Sequence, residues 1–241
     1  MNSKCEFYCY RNQREPTTPI VTQGDTVNLV IFDMDGVLVD TISSWKHVHD
    51  FFKTSNMRSV NMYLQGKIDD LEFIKRDVSL WKENDKLTTK QKLTDILESI
   101  PLMKGAKKTI DTLHSKNIRT AIVSAGLDIL AQRVTQNIGI DYTFANGVQV
   151  DANGRLTGEG ILGVKLMYKD KTVQKLAEKT GIPLENCVAV GNSCFDIPMF
   201  ETCGSGIAFN PDDECVQKAA DAIVQGKDLS KILPVIQKYV G

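Results

Sequence analysis

The sequence predicts an α/β fold in which short buried strands alternate with helices around a doubly wound parallel sheet. Apolar, β-branched runs recur at residues 27–32, 119–123 and 187–190, and such runs are typical of strands covered on both faces. Amphipathic helical patterns separate these runs. Polar residues follow each run directly, and the carboxyl ends of parallel strands meet at one edge of a sheet. These three observations predict both the fold class and the place of the site.

Length and composition limit the possible functions. The 241 residues suit one domain, or a core with a smaller insert, and a hydrophobic content of 42% is enough for a packed core. The net charge of −1 gives no sign of a nucleic-acid or membrane surface. No apolar run reaches the roughly 18 residues of a membrane span, and the first residues do not resemble a secretory signal. We therefore expect a cytoplasmic protein without nucleic-acid or membrane partners.

The chain divides into three parts. Residues 1–25 are polar and contain prolines, so they predict an N-terminal extension. Residues 26–42 and 105–241 carry the alternating strands and helices of the core. Residues 43–104 contain helical patterns at 43–53, 69–82 and 88–100 but no strand pattern, which predicts a helical insert.

Further elements are expected along the core. The sequence predicts short strands within residues 142–167 and at 207–209 and 222–224. It predicts helices at 106–116, 128–138 and 172–179, around Met199, and at 228–240.

The polar residues after the strands form a set suited to phosphoryl transfer. Asp33 and Asp35 follow the first strand, and Ser124 follows the second. Asn192 and Asp196 follow the third strand. An aspartate can attack phosphorus and form an aspartyl-phosphate, and oxygen ligands close together can hold Mg²⁺.

Each of these residues has a predicted role. Asp33 would be the nucleophile, and Asp35 would protonate the leaving alkoxide and then deprotonate water. Lys169, which precedes a helix, would neutralise a phosphoryl oxygen. Ser124 and the backbone amides of Ala125 and Gly126 would bind another oxygen. Taken singly, such a serine is typical of a turn and such a lysine of a solvated surface. Asp196 alone could be a helix N-cap.

These motifs together resemble the haloacid dehalogenase-like hydrolase superfamily. Asp33-Met34-Asp35-Gly36-Val37 is similar to the first motif of that family, Ser124 to the second, Lys169 to the third and residues 191–196 to the fourth. Residues 140–158, 179–191 and 196–200 look closest to its phosphoserine phosphatase branch. Lys171 remains an alternative for the third motif.

The resemblance implies a Rossmann-like core with a helical cap inserted after the first motif. It implies Mg²⁺ bound by Asp33, the Asp35 backbone carbonyl and Asn192. Asp196 would support these groups without touching the metal or the substrate.

The sequence also departs from the phosphoserine phosphatase pattern. Asn192 stands where the family has a metal-binding aspartate, and Phe195 where it has an asparagine. Ile42 replaces a glutamate of the cap. The substrate-binding arginine falls on Asp77, although the adjacent Arg76 is expected to reach the substrate. These changes remove groups that would recognise an amino acid, so we expect a different substrate.

The resulting prediction is an Mg²⁺-dependent phosphomonoesterase for a small phosphorylated metabolite. The protein would act as a monomer or homodimer. The alternative is a phosphatase-like binding or regulatory protein whose catalysis is weakened by Asn192.

Overall fold

A seven-stranded sheet forms the centre of the protein. The computed structural model describes residue 24 and residues 26–238, so nearly all of the predicted extension 1–25 lies outside the described residues. Its strands are β1 (Leu29–Phe32), β4 (Arg119–Leu127), β5 (Tyr142–Val150), β6 (Leu156–Ile161), β7 (Cys187–Gly191), β8 (Ser205–Phe209) and β9 (Ala222–Val224). They lie in the order β6-β5-β4-β1-β7-β8-β9, with six strands parallel and β6 antiparallel to β5 at one edge. The predicted fold class is confirmed.

Strand β1 lies in the middle of this sheet and separates two hydrophobic clusters. It pairs in parallel with β4 on one side and β7 on the other. Val30 and Phe32 belong to one cluster, whereas Leu29 and Ile31 belong to the other. Successive side chains of a strand point to opposite faces, so an uninterrupted apolar run is what a strand covered on both sides requires.

Helices cover both faces, which makes the sheet doubly wound. On one face lie α5 (Ala106–Ser115) and α6 (Asp128–Ile138); on the other lie α7 (Lys169–Thr180), α8 (Ile197–Thr202) and α9 (Glu214–Ala219). The predicted helix 128–138 matches α6, which ends where Gly139 takes the left-handed conformation with φ 84°. The last helix is shorter than predicted. A 3₁₀ turn, Leu229–Ile232, precedes α10 (Leu233–Gln237), and residues 239–240 of the prediction lie outside the described residues.

The segment 43–104 is mainly helical, as predicted, but contains elements that the sequence pattern missed. Its helices are α1 (Ser44–Phe52), α2 (Met57–Leu64), α3 (Asp70–Ser79) and α4 (Lys90–Glu98). The short helix α2 was not predicted. The expectation of no strand was wrong, because β2 (Lys82–Glu83) and β3 (Lys86–Leu87) form an antiparallel hairpin. Its turn residues have positive φ angles, 48° and 62°, which Asn and Asp tolerate better than most residues.

The helices of this segment pack on the core rather than standing apart from it. Val78, Trp81, Leu93 and Leu97 join the hydrophobic cluster that also contains Phe32 of the central strand. Burying side chains of this size stabilises the fold by roughly 1.5–3 kcal/mol each, so the segment is held firmly over the sheet. Within the described residues, none of the helices combines the length and apolar character needed to cross a membrane.

Candidate active site

The first motif forms a tight turn at the carboxyl end of β1. The backbone amide of Asp33 donates to the Val190 carbonyl at 2.9 Å, so the chain stays beside β7 up to that residue. The turn then closes at Gly36, whose φ is 79°. A Cβ atom at Gly36 would come within 2.4 Å of the Asn192 side-chain nitrogen. A glycine is therefore needed both for the backbone angle and for this close approach.

Lys169 links the first motif to the fourth. Its Nζ lies 3.0 Å from Asp33 Oδ1 and 2.7 Å from Asp196 Oδ1, and its side chain is buried. Burial alone would lower the pKa of Lys169, but Asp196 and Asp33 together raise it above its ordinary value. The alternative, Lys171, is exposed and pairs with Asp170. The structure therefore brings Lys169, and not Lys171, to the predicted nucleophile.

The buried position of Asp33 changes its protonation. Burial raises the pKa of Asp33 to about 6, Lys169 opposes this shift, and the neighbouring carboxylates of Asp196 and Asp35 add to it. The Oδ1 atom of Asp33 is buried and has no well-formed hydrogen bond within residues 24 and 26–238. A buried carboxylate with these neighbours is stabilised by an additional cation.

Asp35 is held by a residue that the sequence pattern missed. Its Oδ2 accepts hydrogen bonds from the backbone amide and the hydroxyl of Ser44, each at 2.8 Å. Burial raises the pKa of Asp35, although the bonds from Ser44 oppose that shift. A raised pKa favours the protonated form that a general acid needs. Ser44 lies in the first turn of α1, so the insert itself fixes the carboxyl group of Asp35.

The second motif lies on an irregular part of β4 and not after its end. The strand was predicted to stop at residue 123, but it continues to Leu127 with a shift of register between Val123 and Leu127. This bulge brings Gly126 against Asp35. The approach is so close that a Cβ atom at Gly126 would lie 2.8 Å from the Asp35 carboxylate. Ser124 is buried, and its Oγ accepts a hydrogen bond from the Gly126 amide at 3.1 Å.

The predicted phosphate-binding amides are thus only partly available. The Gly126 amide already has a partner in Ser124, and the Leu127 amide donates to Ser44 Oγ at 3.0 Å. The Ala125 carbonyl accepts from Trp45 and from Asn146, which fixes the loop. The Ser124 hydroxyl is also engaged, since it hydrogen-bonds the Asp33 side chain and thereby lowers the pKa of Asp33.

The fourth motif is organised by two acidic residues. Asp196, which is fully buried, accepts hydrogen bonds from the backbone amides of Asn192 and Ser193 at 2.9 and 3.1 Å, as well as the bond from Lys169. Asp212 accepts from Asn192 Nδ2 at 3.1 Å. This bond turns the amide nitrogen of Asn192 towards Asp212, so its amide oxygen is the atom left for another ligand.

These groups fit a bound Mg²⁺. Asp33 supplies a buried carboxylate that lies beside the further acidic groups of Asp35 and Asp196, and Asn192 supplies an amide oxygen. Mg²⁺ prefers such oxygen ligands. No cluster of three or more His, Cys, Asp or Glu side chains that could hold a metal ion occurs in the described part of the chain.

Asp212 could have been found by the same rule that found Asn192. It follows the end of β8, the strand next to β7, so it lies at the same edge of the sheet. Ser44 carried no comparable signal, because its contact with Asp35 depends on how the insert packs.

One cavity of about 740 Å³ contains the predicted catalytic residues. The residues of the core that line it include Asp33, Asp35, Ser124, Lys169 and Asn192. The opposite wall comes from α1, α2 and α3 of the insert.

Arg76 does not line this cavity. Its Nε pairs with Glu72 at 2.7 Å along the outside of α3, and its Nη1 contacts the Met62 sulfur. The structure therefore does not bring this predicted substrate-binding residue to the site.

The family model of the haloacid dehalogenase-like hydrolases matches residues 30–201. The chain belongs to this family. This hydrolase is also 32% identical over 216 residues to the phosphoserine phosphatase of Methanocaldococcus jannaschii, covering 87% of this chain and 97% of that protein. It is 32% identical to the phosphoserine phosphatase of Idiomarina loihiensis, covering 87% and 94% of the two chains.

Solved structures agree with the sequence comparison. A substrate-bound phosphoserine phosphatase complex aligns with a TM-score of 0.73 at 28% identity, covering 90% of this hydrolase and 99% of that chain. A phospho-aspartyl intermediate analogue of phosphoserine phosphatase aligns with a TM-score of 0.73 at 30% identity, covering 90% and 100%. The hydrolase is therefore a phosphoserine phosphatase-like phosphatase, as its motifs predicted.

Proposed function

We propose that this phosphatase hydrolyses a small phosphomonoester through an aspartyl-phosphate on Asp33, with Mg²⁺ bound at the sheet edge. The observation that carries the proposal is the meeting of Asp33, Lys169, Ser124 and Asn192 in one cavity, with Asp35 beside them. A solved relative that holds a phospho-aspartyl intermediate analogue supports the same chemistry.

In the first step a carboxylate oxygen of Asp33 forms a bond to phosphorus while the bond from phosphorus to the leaving oxygen breaks. Asp35, held by Ser44, gives its proton to that leaving oxygen. Lys169 compensates charge on the phosphoryl oxygens and keeps Asp33 in position. In the second step Asp35 takes a proton from water, which attacks the phosphorus and releases phosphate from Asp33.

Asp33, the backbone carbonyl of Asp35 and the side-chain oxygen of Asn192 would hold the metal. When bound, Mg²⁺ offsets the negative charge of the carboxylates and of the phosphoryl group. We further propose that residues 43–104 form a cap that closes the cavity over the core, residues 26–42 and 105–241. Closure by such a segment excludes water from the first step.

Turnover of an aryl phosphate tests the proposal. The purified chain is expected to hydrolyse p-nitrophenyl phosphate with Mg²⁺ and to lose that activity when the metal is chelated. Beryllium fluoride is expected to bind at Asp33 and to inhibit. The proposal is wrong if the folded chain shows neither turnover nor beryllium fluoride binding in the presence of Mg²⁺.

A second function is favoured by one observation. Asn192 gives the metal site one negative charge less than an aspartate would, and Asp212 already uses its amide nitrogen. A protein that binds phosphorylated ligands with weakened catalysis would have this feature. Calorimetry separates the two functions, since binding of a phosphomonoester with no hydrolysis over hours supports the second.

A further inference from the structure

The insert wall of the cavity contains a buried carboxylate that lacks a full set of partners. Asp77 lies on α3, lines the cavity and is only 3% exposed. Its Oδ2 accepts a hydrogen bond from Asn56 Nδ2 at 2.9 Å. Its Oδ1 is buried, and no donor reaches it within the described residues. A buried charged oxygen without a donor is destabilising unless a ligand supplies one.

The histidine beside Asp77 does not supply the missing hydrogen bond to Oδ1 within the described residues. His49 Nε2 lies 3.4 Å from Asp77 Oδ2. Its other ring nitrogen, Nδ1, accepts a hydrogen bond from the indole nitrogen of Trp81 at 3.2 Å and contacts the Thr54 hydroxyl at 2.9 Å. An indole N–H can only donate, so Nδ1 carries no hydrogen. Nε2, the ring nitrogen nearest Asp77, makes no well-formed hydrogen bond within the described residues.

The remaining cations of the cavity are engaged elsewhere. Lys169 pairs with Asp33 and Asp196. Lys46 pairs with Asp50 at 2.6 Å, and both side chains are more than half exposed. No arginine lines the cavity in the part of the chain that the structure describes. A carboxylate on the leaving group would therefore meet Asp77 without a cation to receive it.

An ammonium group on the ligand is a better partner for the Asp77 carboxylate than a hydroxyl group is. A hydroxyl would donate to Asp77 Oδ1 but leave the buried negative charge uncompensated, whereas an ammonium supplies both the donor and the charge. The aromatic rings of Trp45, Tyr63 and Phe73 also line the cavity, and aromatic faces attract cations.

We propose that Asp77 binds an ammonium group of the leaving alcohol, so that the substrates are phosphomonoesters of amino alcohols that carry no carboxylate. This inference rests on the proposed function and names the substrate class of the same site. The phosphoryl group lies at Asp33, and the alcohol extends towards α3.

Three phosphomonoesters of similar size test the proposal on the full chain with Mg²⁺. They are 2-aminoethyl phosphate with an ammonium, 2-hydroxyethyl phosphate with neither charge, and phosphoserine with an ammonium and a carboxylate. We expect kcat/KM for 2-aminoethyl phosphate to exceed the other two by about tenfold or more, the scale of one hydrogen bond between charged groups.

Asp77→Asn is the decisive variant because it keeps the shape of the side chain and its contact with Asn56. It is expected to reduce kcat/KM for 2-aminoethyl phosphate about tenfold more than it reduces kcat/KM for p-nitrophenyl phosphate, which carries no ammonium group. Glu72→Gln is the matched control, since it removes one negative charge from the same helix outside the cavity. It should leave the order of the three substrates unchanged.

Binding measurements separate this inference from the proposed function. With Asp33→Asn, which cannot turn over, calorimetry should still find tighter binding of 2-aminoethyl phosphate than of phosphoserine. Equal binding, or a preference for phosphoserine, overturns the inference whether or not the wild type hydrolyses p-nitrophenyl phosphate. A uniform loss on all substrates in Asp77→Asn also overturns it, because it would indicate a structural role alone.

Discussion

The two ends of the cavity are built on different principles. At the core end, the polar groups stand on strand ends, and Lys169 and Asp196 hold one another at 2.7 Å within the network that reaches Asp33. At the insert end, helices α1 to α3 present a mainly apolar wall in which Asp77 keeps one oxygen without a donor. In the proposed function the core end carries the reaction, with Ser44 of the insert holding Asp35, and the rest of the insert end recognises the leaving group.

The largest effect on activity is expected at the core end of the cavity, for substitution of the nucleophile. Asp33→Asn removes the nucleophile, so kcat should fall by at least about a thousandfold for every phosphomonoester. Steady-state assays with p-nitrophenyl phosphate and 2-aminoethyl phosphate measure this loss. Substitution of Asp77 should instead change the order of substrates. A loss in Asp33→Asn that differed strongly between substrates would contradict this division.

The pH dependence of stability tests the electrostatics of the core end. In the metal-free protein the pKa of Asp33 rises from 3.8 to about 6 on folding. A raised carboxyl pKa gives stability that is present below pH 3.8 and is lost as the pH rises through 6. Between pH 4 and 7 the wild type should therefore lose up to about 3 kcal/mol that Asp33→Asn keeps.

Urea unfolding of both proteins in a chelator measures this difference, because titrating groups remote from Asp33 cancel between them. Addition of Mg²⁺ should reduce the loss of stability with rising pH in the wild type. A difference that does not change with pH would show that Asp33 is not destabilised by its burial.

Substitutions at Asn192 and Asp212 test how the proposed metal site obtains its negative charge. Asn192→Asp replaces the hydrogen bond to Asp212 at 3.1 Å by two carboxylates. The metal-free protein should lose about 1–3 kcal/mol of stability, while its affinity for Mg²⁺ should increase because the ligand charge increases.

Asp212→Asn in the same chain restores the hydrogen bond with donor and acceptor exchanged. The double variant should regain the stability and keep the higher Mg²⁺ affinity, as measured by urea unfolding and calorimetric titration. If both single and double variants are equally unstable, Asp212 does not orient the side chain at position 192.

The smallest effect is expected at Arg76. Its pair with Glu72 joins two half-exposed side chains on the outer face of α3, and such pairs contribute at most about 1 kcal/mol. Arg76→Ala should change KM for phosphoserine by less than about twofold. A tenfold increase would return Arg76 to the substrate site and weaken the contrast between the two ends of the cavity.

The sequence was sufficient for the core and much less so for the insert. The strands at 29–32 and 187–191 and the helix α6 follow from apolar runs and capping residues, which are local signals. Helix α2 and the hairpin at Lys82–Glu83 and Lys86–Leu87 were missed because they are short, with eight residues in the helix and two in each strand. Such short elements depend on packing and turn geometry for their stability.

The residues of the site also divide into those that were predicted from the sequence and those that were not. Asp33, Ser124 and Asn192 were predicted because they were expected at the ends of parallel strands, which meet at one edge of a sheet. Lys169 was predicted from its place before a helix and from the family resemblance. Arg76 was placed incorrectly in the cavity, although Asp77 beside it lines the wall. Adjacent residues on a helix point about 100° apart. The rotation of α3 about its axis therefore decided that Asp77, and not Arg76, points to the cavity.

By itself the amino-acid sequence determined the parallel sheet, the polar residues associated with its strands and hence the reaction class, because uninterrupted apolar runs and parallel topology follow general rules. Only the tertiary structure decided that Ser44 holds Asp35, that Asp212 orients Asn192, and that Asp77 lines the cavity with one oxygen that has no donor among the described residues. Those contacts depend on the docking of whole helices and loops, which is a sum of many weak packing terms that no local pattern contains.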